Sequence, residues 1–134
     1  MIKNLLIVTA LLETATGVAL MVSPSVPVSL LLGASLDTLG GLGVARVAAA
    51  ALLSLGLACW LARHDGHSRA GRAVIAAMLV YNIAVAAILL HAGLGLGATG
   101  IGLWPAVGVH TALACCCIAC LWPVNPSGNE RTQL

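Results

Sequence analysis

Long apolar stretches alternate with short polar links along this chain, and the pattern predicts four helices that cross a membrane. The apolar stretches cover approximately residues 5–22, 42–62, 73–91 and 103–122. Each has close to the ~20 residues that a helix needs to cross the hydrocarbon core. Because the links leave no room for a soluble domain, we predict an all-α, polytopic membrane protein. A single four-helix bundle would occupy residues 1–134 and end in a polar tail at 123–134.

The link between the first two spans contains a further apolar segment that is too short to cross a membrane. Pro24 and Pro27 end the first span, because proline disfavours a helical conformation in the residue before it. Residues 28–36 are then mostly apolar. We expect them to form a short helix in the outer membrane interface, with an irregular loop as the alternative. Residues 92–102, the other outer link, are rich in glycine and are expected to fold back onto the bundle mouth.

Composition and charge agree with this topology and set its orientation. Charged residues make up only 7% of the chain, against ~25% in soluble domains. Five of the six basic residues fall on one side of the predicted spans: Lys3, Arg63, Arg69, Arg72 and Arg131. By the positive-inside rule, both termini and the link at 63–72 should face the cytoplasm. The net charge of +2 is too small to predict nucleic-acid binding. Glu13 interrupts the apolar core of the first span, so we expect a retained span and not a cleaved signal peptide.

Polar residues inside the spans are the candidate functional groups. Counting along the helices places one on each span at a similar depth: Glu13, Arg46, Asn82 and His110. A charged side chain at the bilayer centre costs ~2.5–3.5 kcal/mol on insertion scales, so Glu13 is expected to pair with Arg46. One hypothesis is an outward-facing layer that binds a ligand or responds to protons. The other is a structural network that fixes the helix register, and the sequence favours neither.

Cysteines and other small residues form the second unusual group. Cys116 and Cys120 share a helix face that Cys59 could meet, and three thiols are suited to a soft metal. We prefer a structural interpretation, in which cysteine packs here as a small apolar residue, so no cofactor is predicted. Two rows of small residues are expected to make contacts inside the bundle, with a homodimer contact as the alternative. They are Ala50, Ser54 and Ala58 in the second span, and Gly108, Ala112, Cys116 and Cys120 in the fourth.

The layout resembles the small four-helix DoxX-like membrane proteins of bacteria and related uncharacterised families. The matching parts are the end of the first span at residues 22–24, the apolar segment at 30–33, and the second span from 45 to 63. The resemblance implies a location in the bacterial inner membrane and an association with quinone-linked redox systems. It carries no catalytic residues across. We therefore expect a non-enzymatic accessory subunit or small-ligand-binding bundle. Its expected partner is another membrane protein or a second copy of the chain. A transporter of soft metals or small solutes is the alternative.

Overall fold

The computed structural model describes residues 1–122, and the regular structure in that part of the chain is entirely α-helical. The helices are α1 (Ile2–Val22), α2 (Ser25–Leu32), α3 (Leu39–Ala62), α4 (Arg69–Gly95) and α5 (Leu103–Leu121). All except α2 are long and apolar enough to cross a membrane. The predicted four-span helical fold is therefore confirmed. The polar tail predicted at 123–134 lies outside the described residues.

The four long helices form two antiparallel pairs, α1 with α3 and α4 with α5. One end of the bundle carries α2 and the link at 96–102, and we call it the α2 end. The opposite end carries the start of α1, the link at 63–68 and the end of α5, and we call it the amino-terminal end. Side chains from all four long helices fill a shared core. Its fully buried centre includes Leu6 of α1, Cys59 of α3, Ile75 and Met78 of α4, and Cys117 of α5.

Two glycines allow α1 and α3 to cross closely. A Cβ atom on Gly17 of α1 would meet the carbonyl oxygen of Ala49 at 3.1 Å, and one on Gly56 of α3 would meet that of Ala10 at 3.1 Å. Close approach of this kind drives helix association in lipid, where apolar burial alone does not. These contacts also fix the register, in which Glu13 lies level with Leu55.

The small-residue rows predicted for the interior are wrong in most positions. Ala50 and Ser54 of α3 are exposed, and so are Gly108, Ala112 and Cys116 of α5. Along α3, the buried small residues lie on the neighbouring face: Ala45, Ala49 and Gly56. A spacing of four residues occurs on more than one face of an alanine-rich helix, so spacing alone did not identify the packed face.

The short helix α2 and the second link hold the α2 end together. The amides of Thr99 and Gly102 donate to carbonyls in the last turn of α2, at 3.3 and 2.8 Å. These bonds satisfy carbonyls that a helix end would otherwise leave unpaired. Gly100 lies so close to α2 that a Cβ atom there would be 2.3 Å from the carbonyl carbon of Leu31. The predicted short helix and the folding back of the second link are therefore confirmed.

Local signals explain where the helices begin and end. Thr38 and Ser68 cap α3 and α4, because each hydroxyl accepts a hydrogen bond at 3.0 Å from the amide three residues later. Gly33 ends α2 with φ of 72°, a left-handed conformation that glycine adopts without strain. Gly33 therefore sets the end of α2, which covers Ser25–Leu32 and not the predicted 28–36.

Candidate functional site

Asn82 joins α4 to α5 through a hydrogen bond to His110. Its side chain is 0% exposed, and its amide nitrogen donates to the Met78 carbonyl at 2.7 Å. The Asn82 oxygen is therefore the acceptor for Nδ1 of His110 at 2.8 Å, an assignment that follows from the hydrogen-bond network. Within residues 1–122 no other hydrogen bond engages this imidazole ring, which leaves Nε2 available to a ligand.

Glu13 lies near the middle of α1 with only 3% of its surface exposed. The Tyr81 side chain on α4 is its polar neighbour. The Tyr81 ring meets the His110 ring edge to face, with 5.8 Å between the centroids and 76° between the planes. Tyr81 therefore links the carboxyl of α1 to the imidazole of α5.

A cavity of about 220 Å³ opens beside these three side chains, between α1 and α5. Glu13, Tyr81 and His110 are its titratable lining residues. The remaining lining residues are Leu12, Thr16, Pro105, Ala106, Val109 and Leu113. Several of these are exposed on the outside of the bundle, so the cavity reaches the lipid-facing surface. Drug-sized ligands occupy pockets of ~300–1,000 Å³, so a ligand here has few heavy atoms.

A larger groove of about 380 Å³ runs along the outer surface between α1 and α3, but it offers different chemistry. It is lined by aliphatic side chains, by Trp60 and by the small residues where the two helices cross. Thr14 is the only lining side chain that bears a hydroxyl. It contains no titratable group. The cavity beside Glu13 is therefore the better candidate for a specific site.

The structure does not bring Arg46 to this layer, and the predicted pair with Glu13 is not formed. In the α1–α3 register, Glu13 is level with Leu55, nine residues from Arg46, which corresponds to about 13 Å along the helix axis. The Arg46 side chain is exposed, and no ion pair joins it to Glu13 in the described chain. Counting residues from the predicted span ends gave a smaller separation between Glu13 and Arg46, because it did not include the axial offset between α1 and α3.

The predicted thiol trio of Cys59, Cys116 and Cys120 is not assembled either. Cys59 is buried beside Cys117, whereas Cys116 is exposed. Successive residues of a helix differ in direction by about 100°, so an error of one position moves the side chain from the core to the lipid. Within residues 1–122 no group of three or more His, Cys, Asp or Glu side chains is arranged to hold a metal ion. Cys59, Cys117 and Cys120 all lie in the shared apolar core.

Tyr81 was not among the residues predicted for the polar layer. It is the single tyrosine of the chain, and it lies mid-span. Tyrosine in membrane proteins prefers the interface, where its hydroxyl meets water. Its position away from the interface was the available signal that a polar partner lies nearby.

Comparisons with protein-family models, with curated proteins and with solved structures find no match to this chain. The site must therefore be interpreted from its own chemistry. It brings a carboxyl, a phenol and an imidazole to the wall of a small cavity within the span region. Such groups form hydrogen bonds, exchange protons and balance the charge of a cation.

Proposed function

We propose that this protein is a non-enzymatic, multi-pass bundle that binds a small molecule in the cavity beside Glu13. The observation that carries the proposal is the buried carboxyl at the wall of a cavity that reaches the bundle surface. An intramembrane ionisable residue marks a functional site by default, because keeping it in hydrocarbon costs free energy.

A purely structural role does not account for all of these groups. The hydrogen bond between Asn82 and His110 joins α4 to α5 and does not involve α1. The close contacts at Gly17 and Gly56 hold α1 against α3, and Glu13 is not part of them. Neither set of contacts includes Glu13, and ligand binding gives its position a reason.

We place the bundle in the bacterial cytoplasmic membrane with both termini in the cytoplasm. The distribution of basic residues supports this orientation. The α2 end then faces outward, and the cavity lies in the outer half of the membrane. A ligand would enter sideways between α1 and α5, from the outer leaflet.

The cellular role that we infer is that of an accessory subunit working with a membrane-protein partner or a second copy. Association with a quinone-linked redox system is supported by the resemblance to DoxX-like proteins and by nothing else. The alternative is a transporter of small solutes that uses the same cavity. A transporter that uses cysteine ligands for a soft metal has less support, because Cys116 is exposed whereas Cys59 is buried.

Mass spectrometry of the protein purified in a mild detergent tests ligand binding. We expect a small molecule to co-purify with the wild-type chain and to be lost from Ala106→Phe, whose larger side chain fills the cavity. Ala112→Phe, which adds the same bulk on the exposed face of α5, is the control and should retain the molecule. Equal retention by both variants, or no bound molecule in the wild type, would argue against the proposal. Proteins recovered in the same preparation would identify an accessory-subunit partner.

A further inference from the structure

The charge balance around the cavity indicates what kind of ligand it takes. We propose that the ligand is a small organic cation of the alkylammonium class and that Glu13 is its counter-charge. This inference rests on the proposed ligand-binding function and adds the chemical class of the ligand.

Three neighbouring helices each bring a titratable group near Glu13. These groups are Cys59 of α3, Tyr81 of α4 and His110 of α5. None of these carries a permanent positive charge, and Arg46 lies about 13 Å away along the helix axis. A buried carboxylate without a cationic partner is the costly arrangement, so an incoming cation would relieve that cost.

The other walls of the cavity are aromatic and aliphatic. Tyr81 lines the cavity beside the carboxyl, and alkylammonium ions are stabilised by aromatic rings as well as by counter-charges. The aliphatic walls of Leu12, Val109 and Leu113 suit the alkyl groups of such an ion. Bare metal ions need several oxygen or nitrogen ligands, and no cluster suited to them exists in residues 1–122.

The volume of the cavity limits the size of the ligand. A cavity of about 220 Å³ is below the usual range for drug-sized ligands, so large aromatic cations do not fit inside it. A tetramethylammonium or choline ion has few heavy atoms and one positive charge. Ions of this size are therefore the appropriate probes.

Proton exchange follows from the same arrangement. When Glu13 carries a proton, the cation can bind only as that O–H bond breaks and the proton leaves for water. The site then holds one positive and one negative charge and is neutral overall. Cation and proton compete for one carboxyl, so the affinity for the cation falls about tenfold for each pH unit below the titration of Glu13.

The experiment compares choline with 3,3-dimethylbutan-1-ol, which replaces the charged nitrogen by carbon and keeps the shape. Binding to the full chain in an uncharged detergent is measured by calorimetry, at constant ionic strength with sodium chloride. We expect choline to bind at least about tenfold more tightly than the alcohol, since its charge meets an unpaired carboxylate. Choline binding should also weaken as the pH is lowered.

Glu13→Gln keeps the size of the side chain and removes its charge, so choline should then bind no better than the alcohol. Asp37→Asn, which removes an exposed carboxyl near the α2 end, is the matched control and should leave choline binding unchanged. The comparison of the two ligands in the wild type needs no variant to fold.

Equal binding of choline and the alcohol would overturn the cation inference and leave the proposed ligand-binding function standing. If the wild type binds neither probe, the cation inference is also overturned. Retention of a co-purified neutral molecule would then show that the cavity binds another ligand. Preference for choline that persists in Glu13→Gln would show that the counter-charge lies elsewhere.

Discussion

The hydrogen bond between Asn82 and His110 predicts a measurable coupling between α4 and α5. Interhelical hydrogen bonds in membrane proteins contribute ~0.6 kcal/mol on average and up to ~1.7 kcal/mol. Removing one partner also leaves a polar group buried without its bond, which costs about 1–3 kcal/mol. We therefore expect Asn82→Ala and His110→Ala each to lower the free energy of unfolding by about 1–3 kcal/mol. The double variant should lose about 0.6–1.7 kcal/mol less than the sum of the two.

The assay is reversible unfolding in mixed micelles with increasing mole fraction of dodecyl sulfate, followed by helical circular dichroism. Thr111 gives a matched control, because it follows His110 on α5 but its hydroxyl bonds to the Val107 carbonyl of its own helix at 2.8 Å. Asn82→Ala and Thr111→Ala should be additive. Additivity within about 0.3 kcal/mol for Asn82 and His110 as well would refute the interhelical bond.

Three further predictions concern packing and topology. Gly100→Ala places a Cβ atom 2.3 Å from the backbone of α2, so it should disrupt two backbone hydrogen bonds and lower the free energy of unfolding by about 2 kcal/mol. Gly43→Ala is the control, because its Cβ atom meets no atom within 4 Å, and equal melting temperatures of the two variants would contradict the docking of the link. Cys117→Leu overfills the core and should lower the free energy of unfolding by about 1–3 kcal/mol, whereas Cys116→Leu lies on the exposed face and should be close to neutral. The reverse order in the same unfolding assay would mean that the buried face of α5 is wrongly assigned. A reporter fused after Arg69 should report the cytoplasm, and a periplasmic signal would reverse the proposed orientation.

The sequence was sufficient for the fold because hydrocarbon imposes a strong constraint on the chain. A segment that crosses it must be apolar over a fixed length and must satisfy its own backbone hydrogen bonds. The four spans and the short helix before α3 were visible for this reason. Their bounds shifted where local caps decide, as at Thr38 and Gly33, since these residues act through single hydrogen bonds and dihedral angles.

The site was harder to predict because it depends on register and helix rotation. Asn82 and His110 were placed at one depth correctly, since both lie near mid-span on helices that pack side by side. Arg46 was misplaced because the α1–α3 register depends on where glycines allow contact. Cys116 was chosen in place of Cys117 because the fourth span is apolar on all sides, so periodicity did not mark its buried face.

The most direct test of the central claim is whether a small apolar reagent reaches Glu13 through the side of the bundle. Diisopropylcarbodiimide partitions into membranes and reacts with carboxyl groups, and the labelled residue is identified by peptide mass spectrometry. We predict that Glu13 is modified in the folded wild type despite being only 3% exposed, and that Ala106→Phe suppresses the reaction while Ala112→Phe does not. Glu13 that reacts only after denaturation, or that reacts equally in both variants, would contradict a ligand cavity between α1 and α5.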